Sequence, residues 1–206
     1  LTTSSAASDV YKRQLHASTM FDHFFLNGGN IFDTAYIYND GKSDKYLGNW
    51  ISANNISKEI IVLGKGAHTP NCEPEFIKSQ LVESLERLKL ESLDIYCLHR
   101  DNLNIPVGEF VDALNDIQSE GLISLIGASN WTLERFKSAN EYADKNKKTG
   151  FQVLSNNFSL ANMNEPVWPG CVHCNDEYLN YLIENNIYLF PLSLIHISEP
   201  TRPYWI

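Results

Sequence analysis

The sequence predicts an α/β fold: a (β/α)8 (TIM) barrel, incomplete, with about six of its eight strands present. Three observations carry that expectation. Strand-like and helix-like stretches alternate strictly from Asn30 to Phe190. The strand stretches are apolar on both faces, the pattern of a parallel sheet covered by helices. The connections are short, and no glycine-rich phosphate fingerprint follows any strand, which disfavours a doubly wound dinucleotide fold.

Each element has its own warrant. Asn30–Ala35 is a short apolar strand after Gly28-Gly29. Ser43–Ala53 has helical spacing at Tyr46, Leu47, Trp50 and Ile51. Ile60–Lys65 is a buried-type strand. Pro74–Leu88 opens on proline and repeats Phe76, Ile77, Leu81, Leu85 and Leu88 along one helical face. Leu93–His99 is the next strand, and Val107–Ser119 a helix that ends before Gly121. Ile123–Asn130 is a strand, and Thr132–Asn146 a helix capped by Thr132. Phe151–Phe158 is a strand, Asn175–Asn186 a helix, and Ile187–Phe190 begins one more strand.

The two ends read differently from the middle. Asp9–Gln14 (D-V-Y-K-R-Q) has GATGTGTATAAGAGACAG as one encoding. The reverse complement of that DNA translates as L-S-L-I-H-I, which is Leu192–Ile197. Transposon-inserted sequencing adapters carry such an inverted repeat. Ser4–Ser8 and Ser198–Arg202 also resemble in-frame primer arms. Residues 1–14 and 192–206 are therefore expected to be non-native tails, with residues 15–191 the partial barrel.

Composition narrows the function. With 43% hydrophobic and 20% charged residues the chain is an ordinary globular one. No apolar run approaches the ~20 residues of a membrane span. A formal charge of −9 argues against a nucleic-acid partner. Cys72, Cys97, Cys171 and Cys174 form no dense framework, so reduced thiols in a cytoplasmic protein are expected. The oligomeric state is not legible.

Chemistry in a parallel barrel gathers where the strands end. Asp33, Lys65, His99 with Arg100, and Ser129 with Asn130 stand at four successive strand ends, and Tyr38 follows Asp33 closely. Singly, each has a plainer reading: a turn former, a solvated charge, a core histidine, a helix cap or a packing ring. Jointly they bring an acid, an amine, a phenol and an imidazole to one face. A free phenol titrates near ~10, and a nearby ammonium favours its ionised form. An acid would hold the ammonium, and an imidazole would orient a carbonyl. General acid catalysis of this kind is worth roughly 10²–10⁴-fold.

F-D-T-A-Y-I-Y (Phe32–Tyr38), V-L-G-K (Val62–Lys65), L-D-I-Y-C-L-H-R (Leu93–Arg100) and G-A-S-N-W (Gly127–Trp131) resemble, in order and spacing, the successive motifs of the aldo-keto reductase superfamily. The resemblance implies Tyr38 as general acid, Lys65 tuning it, Asp33 paired with Lys65, and His99 placing the carbonyl. It implies Ser129 and Asn130 on the carboxamide of a nicotinamide cofactor, NADPH with NADH left open. The substrate would be a small-molecule aldehyde or ketone, reduced to an alcohol. The same resemblance allows a cofactor-binding regulatory subunit, like the potassium-channel β subunits; the apparent truncation allows an inactive fragment of a parent enzyme.

Two departures stand out. Where the family usually places a glutamine, three residues before Phe158, this chain has Ser155, expected as a weaker cofactor contact. The aromatic that normally stacks on the nicotinamide is not found. Tyr36, Arg100 and Trp131 are expected to wall the substrate pocket, with core packing nearly as good a reading for Tyr36 and Trp131. The loop Asn162–Asn175 is expected to form part of a lid. Its single C-x-x-C, Cys171–Cys174, is read as loop packing rather than as a metal site or redox pair.

Overall fold

The computed structural model describes residues 3–159, 165–166 and 168–192, with side chains from Leu15 onward. The expected tail 193–206 and most of the front of the Asn162–Asn175 loop lie outside the described residues. Six parallel strands form one sheet in chain order, each pairing with the next. They are β1 (Ile31–Asp33), β2 (Ile61–Gly66), β3 (Leu93–Leu98), β4 (Ile123–Ala128), β5 (Val153–Leu154) and β6 (Tyr188–Leu189). Six helices accompany them: α1 (Thr3–Leu26), α2 (Lys42–Asn54), α3 (Pro74–Leu88), α4 (Val107–Ser119), α5 (Leu133–Lys145) and α6 (Asp176–Glu184). This is a half-barrel, an incomplete (β/α)8 barrel.

Helix α3 starts at proline, whose missing N–H is no loss in a first turn. Its stripe Ile77, Leu81, Leu85 and Leu88 is buried against the sheet. Full burial of each such side chain contributes about 1.5–3 kcal/mol. Thr132 caps α5, accepting from the Arg135 N–H at 3.3 Å, and Asn175 caps α6, accepting from the Tyr178 N–H at 2.9 Å. Helix α1 is an addition to the expected elements. Its Phe21, Phe24 and Phe25 pack edge-on or tilted against Phe32 and Trp50, and Asp22 accepts a 2.7 Å bond from Trp50 Nε1.

The large core lies between sheet and helices. A smaller one, Leu63, Ile95, Cys97 and Val153, fills the concave face. Register aligns Lys65, Cys97, Gly127 and Val153 across four strands. Gly127 is required there: a Cβ would stand 2.4 Å from the Val153 carbonyl oxygen and 2.9 Å from Cys97 Sγ. One layer higher, beyond the strand ends, come His99, Ser129 and Ser155.

The predicted strand Phe151–Phe158 shortens to Val153–Leu154. Asn156 leaves the ladder because its side chain accepts from the Asn130 N–H at 2.5 Å and donates to the Trp131 carbonyl at 3.0 Å. Leu192, placed above in the second tail, bridges to Asn157 and donates its N–H to the Asn156 carbonyl at 3.0 Å. Among the described residues no helix is long and apolar enough to cross a membrane.

Candidate active site

The C-terminal ends of the strands surround a cavity of about 440 Å³, within the range of small-molecule sites. Tyr38, His68, His99, Arg100 and Asn130 line it, with Ile37, Asn157, Trp168 and Cys171 at its walls. A larger groove of about 520 Å³ lies between α5 and α6 at the opposite ends of the strands. It holds none of the grouped chemistry described here.

Asp33 ends β1 and Lys65 lies on the adjacent β2, so the parallel sheet sets them side by side. Lys65 Nζ donates to Asp33 Oδ1. The Lys65 side chain has no solvent exposure, whereas that of Asp33 is 37% exposed. The same ammonium lies 5.4 Å from the centre of the Tyr38 ring. Tyr38 stands in a run of turns between β1 and α2. The backbone bond from the Tyr36 N–H to the Lys65 carbonyl, 2.8 Å, ties that run to β2. Below it, Asp44 is wholly buried and accepts from Thr34 Oγ1 at 2.5 Å and Ser84 Oγ at 2.9 Å. Burial pushes the Asp44 carboxyl up, and the two hydroxyl donors and Arg87 oppose that shift.

His99 meets Tyr38 edge to face at 5.5 Å between ring centres, and His68 at 4.7 Å. Burial, reinforced by the charges of Lys65, His68 and Arg100, pushes the His99 imidazole down to about 2. The ring is therefore neutral at ordinary pH, and its Nδ1 is buried with no hydrogen-bond partner. A neutral imidazole can orient a carbonyl without competing for the proton. Beside Lys65 on the neighbouring strand, burial pushes the Cys97 thiol up to about 12, which keeps it protonated and inert.

Ser129 Oγ donates to the Ser155 carbonyl at 2.6 Å and accepts from Asn130 Nδ2 at 2.9 Å. Asn130 also donates to the His99 carbonyl at 3.3 Å, and its backbone is left-handed, with φ 60°. Asparagine tolerates that conformation better than most residues. The Ser155 hydroxyl is buried and has no partner.

Two of the expected pocket residues lie outside the cavity lining. Tyr36 turns outward: its hydroxyl donates to Glu83 at 2.9 Å, and the Arg87 guanidinium stacks 4.6 Å over its ring. The Glu83 bond, more than burial, pushes that phenol up. Ile37 takes the place beside the cavity. Trp131 is a core residue with no exposure, 5.6 Å from Phe110 and 5.1 Å from Phe151. It serves the site indirectly, donating its Nε1–H to the Arg100 carbonyl at 3.2 Å. His68, Asn157 and Trp168 were not singled out as pocket residues. For His68 the available signal was its place three residues after Lys65, just past the end of β2.

All four cysteines are free, and burial pushes Cys72 and Cys174 up to about 11. Among the described residues no group of three metal-ligating side chains comes together.

An acid–ammonium pair, a phenol and a neutral imidazole stand together at the mouth of a parallel half-barrel, groups whose chemistry is suited to proton transfer. The chain belongs to the aldo/keto reductase family, whose model matches residues 5–193. It is 24% identical over 172 residues to an NADP(+) aryl-alcohol dehydrogenase of Phanerodontia chrysosporium, covering 75% of this chain and 45% of that protein. It is 25% identical over 171 residues to norsolorinic acid reductase B of Aspergillus parasiticus, covering 76% and 45%. An aldo/keto reductase from Klebsiella pneumoniae solved with NADP and acetate superimposes with a TM-score of 0.72 at 20% identity, over 88% of this chain and 58% of that one. The chain thus spans about half the length of the curated relatives it matches.

Proposed function

We propose that the chain carries the proton-donating face of an NADPH-dependent reductase that converts an aldehyde or ketone to an alcohol. The observation that carries this reading is the fully buried Lys65 ammonium, paired with Asp33 and set 5.4 Å from the Tyr38 ring. A relative named for NADP(+) and a neighbour solved with NADPH support the cofactor. So does the buried, unpartnered Ser155 hydroxyl, because a carboxamide would satisfy it. Ser129, Asn130 and Ser155 would hold that amide. The cofactor, when bound, supplies the hydride.

The rest is work for the chain's own residues. Tyr38 donates the proton to the carbonyl oxygen as negative charge develops there. Lys65, fixed by Asp33, stabilises the phenolate left behind. His99, uncharged, holds the carbonyl oxygen near the Tyr38 hydroxyl. Leu63, Ile95 and Val153 close the floor to water.

The test is steady oxidation of NADPH by the full chain with a panel of aldehydes, with the alcohol product identified by mass. Repeated turnover with NADPH preferred over NADH supports the reading. Tight cofactor retention with one slow turnover would instead mark a regulatory cofactor-binding protein, and no binding would overturn the assignment.

A further inference from the structure

We propose that the substrate is an oxo acid and that Arg100 receives its carboxylate; the proposal rests on the carbonyl-reduction reading. Arg100 follows His99 immediately, so its position relative to the carbonyl-orienting ring is fixed by the strand end. Three bonds pin its main chain. Its N–H donates to the Ala67 carbonyl at 3.1 Å, and its carbonyl accepts from Trp131 Nε1 at 3.2 Å and Cys72 Sγ at 3.3 Å.

The guanidinium has no such partner. Asp101, the adjacent acid, is committed to Arg135 through two 2.8 Å bonds. Arg87 pairs with Glu83, Lys65 with Asp33, and Lys148 with Asp112. Among the described residues Arg100 faces no carboxylate. Its two terminal nitrogens meet Cys171 Sγ, each at 3.8 Å, and a thiol is a weak acceptor. Cys171 lines the same cavity, so the two terminal nitrogens meet that cavity at its wall, while Arg100 also borders a neighbouring cavity that Asp101 lines. The described lining of the first cavity includes no aspartate or glutamate. Among the described residues of a chain of formal charge −9, a half-buried arginine fork without an ion-pair partner, beside a neutral imidazole, is the exception. A planar fork of donors matches a carboxylate through two parallel bonds.

The experiment compares 4-carboxybenzaldehyde with its methyl ester as substrates of the full chain with NADPH, in wild type, Arg100→Gln and Arg100→Lys. The acid-to-ester ratio of kcat/KM should favour the acid in wild type. It should fall about tenfold to a hundredfold in Arg100→Gln, and less in Arg100→Lys, which keeps the charge but not the fork. Equal handling of acid and ester, or an acid preference that survives Arg100→Gln, overturns the Arg100 assignment and leaves carbonyl reduction standing. A second arm is independent of turnover: calorimetric titration of benzoate and benzamide into the NADPH-loaded chain. Tighter benzoate binding that is lost in Arg100→Gln supports the assignment even where neither aldehyde is reduced, a result that would sink the reductase reading alone. Benzoate preference unchanged by Arg100→Gln counts against it.

Discussion

Removing either member of the Lys65–Asp33 pair should give opposite lessons about stability. Asp33→Asn leaves the Lys65 ammonium with no solvent exposure and no bonded counter-charge, Asp44 acting on it only through space. Stranding one partner of a buried pair costs about 3–5 kcal/mol. Lys65→Met leaves Asp33, which at 37% exposure still reaches water, and the methionine refills the space of the lysine stem. Losing an exposed partner is worth about 0–1 kcal/mol. With a urea slope of about 2 kcal/mol/M, the first change should lower the midpoint by roughly 1.5–2.5 M and the second by less than roughly 0.5 M. The double variant should resemble Lys65→Met, because no buried charge is left without a partner. Tryptophan fluorescence reads the transition, since buried Trp50 packs on Phe32, next to Asp33. Measurements belong at low protein concentration, because among the described residues strands β1 and β6 each leave one edge of the sheet unpaired. If Lys65→Met proves as destabilising as Asp33→Asn, the ammonium is not the buried, dependent member of the pair, and its assigned role beside Tyr38 loses its basis.

Two further outcomes follow from the same geometry. His99 is neutral in the fold down to about 2 but takes up a proton near ~6.5 when unfolded, so its burial stabilises the fold fully above that pH and progressively less below it. His99→Gln should remove that dependence, making the loss between pH 6.5 and 4.5 smaller by up to about 2.7 kcal/mol, read by denaturant titration at each pH. Asp44→Ala removes the acceptor shared by Thr34 and Ser84 beneath the Tyr38 turn. It should cost about 1–3 kcal/mol, and hydrogen exchange at residues 36–41 should accelerate more than exchange in α4.

Much of this was legible because the physics is local. Pro74 and the stripe to Leu88 fix α3 at both ends, and Val107–Ser119 is bounded by Pro106 and Gly121 in the same way. The grouping of Asp33, Lys65, His99 and Ser129 was legible because parallel strands bring their ends together. The fate of Tyr36 was not. Arg87 and Glu83, about fifty residues away, capture its ring and hydroxyl, and no periodicity in a turn says which way a side chain points. Trp131 hid its role likewise, since a ring after a strand end fits a pocket wall and a core equally well. Helix α1 does leave a signal, Phe21, Phe24 and Phe25 at helical spacing, but residues 15–26 alone are too short to show a full amphipathic pattern.

Rapid mixing of the NADPH-loaded chain with an aldehyde, following loss of cofactor absorbance in a single turnover, probes the proton donor itself. Tyr38→Phe should slow that step by at least about 10²-fold while the Kd for NADPH changes less than about twofold. Hydride transfer at the wild-type rate in Tyr38→Phe would contradict the account, because the proton would then come from elsewhere.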